Sequence, residues 1–167
     1  MIDIETQLNT AAIQQQLDSL ADDLKVKAVK AGINKVAASG VKLMRAYIPK
    51  KTGALQKAVR RKQLSKTMRG RMNIDKNLQA VIVGPNYKGK GRIANILEGG
   101  AKPHKIKAKK GGLLFLGRRL FVKSVNHPGT RAYKFIKRAN DENNANAQSL
   151  FYTGVTEYLQ RRNHSQL

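Results

Sequence analysis

Four side chains of this sequence could supply a metal ligand or a general base: Asp75, Glu98, His104 and His127. A nuclease is the enzyme class that such residues would suit in a basic protein, but two-metal nuclease chemistry needs several carboxylates around one point. Residues 25–138 contain only two acids, Asp75 and Glu98. Each histidine adjoins a proline in a predicted loop, so structural hydrogen bonding is the expected role of both. We therefore predict no catalytic residue and no metal site, and keep a nuclease as the least favoured alternative.

A second candidate is the glycine-rich stretch Gly84–Gly91, which follows a predicted strand and nearly matches a phosphate-binding loop. Gly91 occupies the position where such a loop needs a Ser or Thr to hold magnesium. Phosphoryl transfer also needs an acidic metal ligand and a full helix after the loop, and this region offers only Glu98 and a short segment. The chain has no cysteine nucleophile, and no serine stands in a Gly-x-Ser-x-Gly turn. We predict a flexible basic turn here, and no cofactor.

The distribution of charge is the most informative feature of the sequence. Lys and Arg number 33 against 10 Asp and Glu, a formal net charge of +23. Residues 1–24 contain five acids and no base, whereas residues 25–138 contain 31 bases and two acids. Because the basic region cannot neutralise itself through internal ion pairs, it predicts a nearby anionic partner: nucleic acid, an acidic protein or an anionic membrane surface. The residues expected to face nucleic acid or an acidic partner are Arg60, Arg61, Lys62, Lys66, Arg69, Arg71, Lys105, Lys107, Lys109 and Lys110.

Composition narrows the kind of contact expected. The chain has no Trp, five Tyr and four Phe, without the alternation of aromatic and basic residues that single-strand platforms use. Zinc fingers need cysteines, which the chain lacks. No stretch approaches the ~20 consecutive apolar residues of a membrane helix, so we expect a soluble protein made in a cytoplasm, without a membrane partner. Contact with the phosphate backbone, independent of base sequence, is the prediction that is left.

A long helix is the first element predicted to position these residues. Apolar residues recur at helical spacing in two series, which are Ile13, Leu17, Leu20 and Leu24, and then Val29, Ile33, Val36, Gly40, Met44 and Tyr47. The step of five residues between the two series predicts that the helix either bends there or exchanges packing partners. Pro49 ends the helix, because the residue before a proline is pushed out of the helical region.

Strands are predicted after this helix. Residues 60–71 are expected to form a strand that leads into an exposed, mobile loop, because few apolar residues anchor them. Residues 78–83 are rich in β-formers and stop at the turn residues 84–86, which is typical of a strand. We expect this strand to be central in its sheet.

A short helix and a hairpin follow in the prediction. Residues 92–98 fit two helical turns closed by Gly99 and Gly100, since glycine readily adopts the left-handed conformation at a helix end. The runs 113–116 and 120–125 are both β-like and are separated by Gly117-Arg118-Arg119, which predicts a hairpin.

The C-terminal part of the sequence is predicted to be helical again from Arg131. Asp141 and Glu142 favour a helix N-terminus, and the helix is expected to dock on the sheet through Ala147, Phe151, Val155, Tyr158 and Leu159. The predicted fold is therefore α+β, with a long N-terminal helix, a small, mainly antiparallel sheet with a short helix and hairpin, and a C-terminal helix. Its 167 residues suit one domain, made of an acidic helical segment (1–24), a core (25–140), and a C-terminal helix and tail (141–167).

Three segments stand in a suggestive order. Residues 48–55 place a proline, a polar step and Thr-Gly-x-Leu at the end of a long helix. Residues 83–85 followed by 94–100 give a strand, a turn and a short helix that ends in Glu-x-Gly. The third segment runs from His104-Lys105-Ile106 through 125–130, with Phe135 and Ala139 beyond it. Together they cover about residues 26–140 and resemble the phage tail-completion family that includes minor tail protein Z-like head–tail joining proteins.

The positions that carry the resemblance make physical sense as markers of a fold. Glycines permit backbone angles that other residues resist, prolines rigidify turns, and a threonine can cap a turn. No catalytic role is implied for any of them. These fold markers are Pro49, Thr52, Gly53, Leu55, Gly84, Glu98, Gly99, His127, Pro128 and Gly129.

The resemblance implies a structural virion protein of a phage neck or upper tail, assembled in the host cytoplasm. Such a protein forms a homo-oligomeric ring, a hexamer or a dodecamer, around the DNA passage at the head–tail junction. It completes the tail and joins it to the head, in contact with other neck and tail proteins and with double-stranded DNA. Composition alone implies only a polyanion binder, and leaves open a free-standing nucleic-acid-binding protein without sequence preference.

The charge asymmetry adds an expectation about assembly. In a head-to-tail ring, one surface of each subunit meets a different surface of the next. The acidic residues 1–24 are therefore predicted to lie on a basic surface of the neighbouring copy, with the apolar stripe providing burial and the acids providing register. The alternative is that this amphipathic segment packs only on its own domain.

Overall fold

The computed structural model describes residues 22–50, 53–75, 78–86, 89–109, 111–117 and 119–164. Within them the chain is α+β, as predicted. The helices are α1 (Asp22–Tyr47), α2 (Ala54–Ala58), α3 (Lys66–Arg71), α4 (Ala94–Gly99) and α5 (Phe135–His164). A 3₁₀ helix, Gly89–Ile93, lies directly before α4. The strands are β1 (Val59–Gln63), β2 (Val81–Pro85), β3 (His104–Lys107), β4 (Leu114–Phe115), β5 (Phe121–Val122) and β6 (Ser124–His127).

Helices α1 and α5 pack against each other along their length and form what we call the helix layer. They run antiparallel, because Ala28 near the start of α1 packs with Phe151 and Val155 in the second half of α5, whereas Met44 near the end of α1 packs with Phe135 at the start of α5. α1 continues without a break across the predicted step between Leu24 and Val29. The predicted stripe residues Ile13, Leu17 and Leu20 lie outside the described residues.

Two glycines allow the helices of this layer to approach closely. A Cβ added to Gly32 on α1 would lie 2.6 Å from the ring of Phe151, and one added to Gly154 on α5 would lie 2.9 Å from the carbonyl oxygen of Ala31. Since real side-chain carbons do not come so close, both positions require glycine unless the helices move apart. Both glycines fall outside the apolar series that the sequence periodicity identifies, so neither residue was predicted to be at the centre of the packing.

The main hydrophobic core joins the end of this layer to the strands. Val59 of β1 and Phe135 of α5 are fully buried, together with Met44, Ile48, Leu55, Ala94 and Ala139. Burying a side chain the size of Phe or Val is worth about 1.5–3 kcal/mol. This core therefore holds β1, α2 and α4 against the end of the helix layer.

The strands pair as three separate antiparallel ladders in the described residues, β1 with β2, β3 with β6 and β4 with β5. In the first, Val59 is opposite Pro85 and Gln63 is opposite Val81. The prediction that residues 78–83 form a central strand is wrong in two respects, since β2 begins at Val81 and has one partner strand. A two-stranded ladder suffices because α1, in contact with both β1 and β2, covers one of its faces.

The prediction for the C-terminal helix needs correction as well. α5 begins at Phe135, so Asp141 and Glu142 lie inside it and do not mark its start. It docks on α1 instead of on the sheet, because Phe151 and Val155 meet Ala28 and the glycine-lined face of α1. The sequence shows that α5 has an apolar face, but this face fits a neighbouring helix as well as it fits a sheet.

Residues 60–71, predicted as a strand leading into an exposed, mobile loop, contain the end of β1 and helix α3. Ser65 caps it, with its Oγ accepting a hydrogen bond from the Met68 N–H at 3.3 Å, which is the usual role of serine before a helix. The predicted hairpin forms from β4 and β5, but its second run divides, because residues 124–127 pair with β3. The helix end at Tyr47 before Pro49, and the short helix that ends at Gly99, are confirmed.

Candidate nucleic-acid interface

Strand β1 carries three consecutive basic residues, Arg60, Arg61 and Lys62, and all three are exposed. Side chains alternate between the faces of a strand, and the buried Val59 shows that the odd-numbered positions face α1. Accordingly, Arg61 donates a hydrogen bond from Nη1 to the main-chain carbonyl of Asn34 on α1, at 2.7 Å. Arg60 and Lys62 lie on the opposite, outer face. The strand thus places two of the predicted cations on the surface and uses the third to attach itself to the helix layer.

The cations on helix α3 differ in exposure. Lys66 and Arg71 are exposed. Arg69 is buried, with 6% of its surface exposed, and it donates from Nη1 to the carbonyl oxygen of Leu78 at 2.6 Å. Its prediction as a partner-facing residue is therefore wrong. A regular charge pattern does not reveal this, since only the return of the chain to Leu78 provides an acceptor for the guanidinium.

Strand β3 presents the lysines of the second basic group. Lys105 and Lys107 stand two residues apart, so they share one face of the strand, and both are exposed, as is Lys109 after it. The fourth predicted member, Lys110, lies outside the described residues. In the register of the ladder, Lys105 is opposite Asn126 and Lys107 is opposite Ser124. The strand itself was missed by sequence reasoning, because Ile106 is its one apolar residue.

Sequence reasoning also missed Arg45, which lies on α1 beside these strands. Its Nη2 donates to the carbonyl oxygen of Val59 at 2.8 Å. With Arg60 and Arg61 it lines a shallow groove that is floored by Ala38 and Val41. Three arginines border this groove and make it positively charged, which suits an anion such as a phosphate group.

The ion pairs of the described residues lie on the helix layer, away from these cations. Ion pairs there join Lys35 to Glu157 at 2.6 Å and Lys137 to Asp141 at 2.8 Å, and others join Lys25 to Asp22, Lys27 to Asp23 and Arg161 to Glu157. In contrast, no carboxylate of the described residues comes within 4.0 Å of the exposed cations on β1, α3 and β3, which are Arg60, Arg61, Lys62, Lys66, Arg71, Lys105 and Lys107. The described cations on β1, α3 and β3 are thus without the carboxylate partners that several cations of the helix layer have.

The pKa shifts of the helix layer follow from these pairings. A hydrogen bond from Lys35 lowers the pKa of Glu157, and one from Lys27 lowers the pKa of Asp23. The Tyr47 hydroxyl donates a hydrogen bond to Glu142, which raises the pKa of the phenol. The guanidinium of Arg138 lies 4.1 Å above the Tyr47 ring. These contacts hold charges of opposite sign, or a cation and a ring, next to each other.

Glu98, considered above as a metal ligand or base, has a structural role. Its buried carboxylate accepts hydrogen bonds from the main-chain N–H groups of Ile136 at 2.7 Å and Lys137 at 3.1 Å. These N–H groups belong to the first turn of α5, where no partner within the helix is available. Glu98 therefore caps α5 from another helix, and its negative charge lies at the positive end of the helix dipole.

The two histidines lie opposite each other in the ladder of β3 and β6, with ring centroids 5.1 Å apart. Nδ1 of His104 lies 2.8 Å from the carbonyl oxygen of Lys102, and Nδ1 of His127 accepts a hydrogen bond from the Gly129 N–H at 3.1 Å. Both contacts match the structural role predicted from the sequence. Among the side chains that the structure describes, no three of His, Cys, Asp and Glu group closely enough to hold a metal ion.

The remaining fold markers lie at turns and in the core. Gly53 and Gly129 adopt positive φ angles of 68° and 92°, and a Cβ on Gly129 would overlap the carbonyl oxygen of Ala101. Leu55 is buried, whereas Thr52 lies outside the described residues. Gly84 lies in β2, and Pro128 follows β6. In the stretch that resembles a phosphate-binding loop, a Cβ on Gly91 would overlap the carbonyl oxygen of Asn86, so a closely packed turn explains this glycine.

Comparisons with protein-family models, curated proteins and solved structures find no match for this chain. Within the part of the chain that the structure describes, none of the helices is long and apolar enough to cross a membrane. The arrangement of charge on the surface therefore carries the functional argument.

Proposed function

We propose that this chain is a non-enzymatic structural subunit of a phage neck or upper tail, which forms a ring around the passage of double-stranded DNA. In this role it completes the tail and joins it to the head. The observation that supports the proposal best is the row of exposed cations on β1 and α3 without carboxylate partners. The order of the segments around Pro49, Glu98 and His127, which resembles the tail-completion family, points to the same role.

The charge of the chain favours a ring that encloses an anion. Subunits of net charge +23 repel one another when they assemble, unless DNA or acidic neighbours offset their field. Lysine and arginine side chains on a well-ordered strand suit phosphates, which are the same for every base sequence. A ring through which a DNA genome passes needs contacts that do not depend on base sequence.

DNA binding tests the first half of the proposal. The affinity of the full chain for double-stranded DNA is measured over a range of salt concentrations, for the parent and for a variant with Arg60, Lys62, Lys66 and Arg71 all changed to Gln. The slope of log K against log salt is expected to fall by about 0.9 for each phosphate contact that is lost. A matched control removes four cations that already pair with carboxylates, namely Lys25, Lys27, Lys137 and Arg161.

The control variant has the same net charge, so it separates a local interface from a general effect of charge. A smaller loss of slope in the control than in the β1 and α3 variant supports the interface. Equal losses in the two variants would remove this face from the proposal.

Assembly tests the second half. The mass of the purified chain, measured by native mass spectrometry with and without DNA, is expected to be that of a closed oligomer, and electron micrographs are expected to show a ring with a central opening. A chain that stays monomeric or dimeric under all conditions and still binds DNA would contradict the neck subunit and favour a free-standing nucleic-acid-binding protein.

A further inference from the structure

The β4–β5 hairpin exposes more apolar surface than any other short stretch that the structure describes. Of the twelve large apolar side chains that are exposed, five lie between residues 113 and 121. Phe115 is 64% exposed and Phe121 is 57% exposed, and their rings contact each other with centroids 5.3 Å apart. The other three are Leu113, Leu116 and Leu120.

The contacts within this hairpin do not account for its stability. Each of its strands has two residues, and an isolated two-stranded hairpin is marginally stable at best. A contiguous apolar patch on a soluble protein usually marks a site of interaction. A hydrogen bond from the Ala108 N–H to the carbonyl oxygen of Lys123 joins the hairpin to the ladder of β3 and β6. The position of the hairpin is therefore fixed, and it offers a partner a defined surface.

Exposed cations border the patch. Lys107 and Lys109 precede β4, Arg119 lies in the turn and Lys123 follows β5. The partner that fits this surface therefore has apolar side chains at its centre and acidic groups at its edge. A basic or neutral partner would leave the lysines and arginine without counter-charges, and nucleic acid would leave the phenylalanines and leucines without apolar contacts.

The chain itself contains a segment with the required chemistry. Residues 1–24 hold five of the ten acids of the chain and no base. Their predicted apolar stripe, Ile13, Leu17, Leu20 and Leu24, repeats at helical spacing. In the rest of the sequence bases outnumber acids by 33 to 5. Residues 139–160 also combine acids with an apolar face, but they belong to α5, and that face already packs on α1.

The attachment points favour a contact between two copies. The hairpin belongs to the part of the chain that is held, through Glu98 and the bridge between Ala101 and Thr130, at the end of the helix layer where α5 begins. Residues 1–21 enter at the other end, where α1 begins, and the 26 residues of α1 separate the two ends by about 39 Å. A segment at one end and its matching surface at the other are what a head-to-tail assembly requires.

We propose that residues 13–24 of one copy dock on the β4–β5 hairpin of the next copy. The inference rests on the proposed ring, since it assigns the surface through which the ring closes. Phe115 and Phe121 receive the apolar stripe, and Lys107, Lys109, Arg119 and Lys123 lie against the acids beside it.

Disulfide cross-linking tests this contact directly, because the chain has no cysteine of its own. A full chain carrying Leu17→Cys is mixed with a full chain carrying Leu120→Cys, so that a bond between them can form only between copies. In the matched control, the second chain carries Ala145→Cys on the exposed surface of α5. Docking raises the local thiol concentration from the µM to the mM range, so the first pair is expected to cross-link at least about tenfold faster than the control pair.

Equal rates for the two pairs would overturn the inference. It would also be overturned if the double variant, with Leu17→Cys and Leu120→Cys in one chain, closed an internal disulfide at high dilution while the mixed pair did not cross-link. The mass of the parent assembly is measured in parallel, which separates the two proposals. An intact ring with equal cross-linking rates rejects this contact alone, whereas a chain that forms no oligomer rejects the ring.

Discussion

The helix layer and the side of the molecule that carries β1, α3 and β3 differ in how their charged side chains are paired. On α1 and α5, six cations lie beside carboxylates or an aromatic ring, as in the pairs of Lys35 with Glu157 and Arg138 with Tyr47. On β1, α3 and β3, exposed cations have no carboxylate of the described residues within reach. The helix layer thus pairs part of its charge within one copy, although its ten bases outnumber its five acids, whereas the exposed cations of the other side have no such pairs. This difference in pairing, more than the total charge, distinguishes the two regions.

The largest expected effect contrasts two phenylalanines, one from each region. Phe151→Ala removes a ring that is packed between α5 and Gly32 of α1, and is expected to lower the free energy of unfolding by about 3–5 kcal/mol. Phe115→Ala removes an exposed ring of the hairpin and is expected to change it by no more than about 0.5 kcal/mol. Urea denaturation of both variants measures the two values.

Similar losses of stability in the two variants would show that the hairpin belongs to the core of one copy, and would break the comparison. Phe151→Leu, which keeps most of the buried volume, provides a measurable value if the alanine variant is too unstable to purify. Stability has to be measured on the same oligomeric form in each case, because assembly itself raises the apparent stability of a folded subunit.

A second contrast uses two arginines that the sequence pattern treats as equivalent. Arg69→Met leaves the Leu78 carbonyl without its donor, and is expected to cost about 1–3 kcal/mol of stability. Arg60→Met, on the outer face of β1, is expected to leave stability within about 0.5 kcal/mol and to reduce DNA affinity. Denaturant titration and DNA binding at one fixed salt concentration distinguish the two. A loss of DNA affinity in the Arg69 variant that matched the loss for Arg60, with unchanged stability, would contradict the buried structural role.

A third contrast concerns the acids. Glu98→Ala removes the group that caps α5 and is expected to cost about 0.5–2 kcal/mol, whereas Asp141→Ala breaks an exposed pair within one helix and is expected to cost at most about 0.5 kcal/mol. Thermal and urea unfolding of the two variants provide the comparison.

The same glutamate also tests the prediction that the chain is not an enzyme. Neither the parent chain nor Glu98→Gln is expected to hydrolyse DNA or nucleotides with magnesium or manganese. Hydrolysis by the parent that was lost in a folded Glu98→Gln variant would overturn the structural role assigned to this residue.

The sequence predicted local features well and predicted tertiary partners poorly. The end of α1 before Pro49 and the glycine-closed helix before Gly100 depend on backbone angles that a few residues determine, so they could be predicted. The docking of α5 on α1 depends on Gly32 and Gly154, which let the two helices approach closely because they have no side chain. The periodicity of apolar residues does not identify such positions. α3 was not predicted, because Ser65, which caps it, lies among basic residues that show no apolar periodicity.

The candidate interface was predicted in the same uneven way. Exposure of Arg60 and Lys62 was predicted from the scarcity of apolar residues around them, although the bounds of the strand that carries them were not predicted. Burial of Arg69 depends on a carbonyl nine residues along the chain, and the contribution of Arg45 depends on the packing of β1 beside α1. Neither contact has a local sequence signal, because charged residues look alike in a sequence whether they face solvent or a main-chain acceptor.

The smallest expected effect is a pH dependence confined to the helix layer. Lys35 donates to Glu157 and lowers the pKa of this carboxyl below its ordinary value. A carboxyl whose pKa is lower in the folded state stabilises the fold above its unfolded pKa, and this contribution is lost as the pH falls through the folded pKa. Glu157→Gln is therefore expected to be slightly less stable than the parent at pH 7, and the difference is expected to disappear at acidic pH, below the ordinary range of a glutamate. Because both side chains are partly exposed, added salt should shrink the difference at pH 7 as well. Urea midpoints of the two proteins, measured from pH 7 down to pH 3, test the sign: a difference that grew on acidification would contradict the pairing of Lys35 with Glu157.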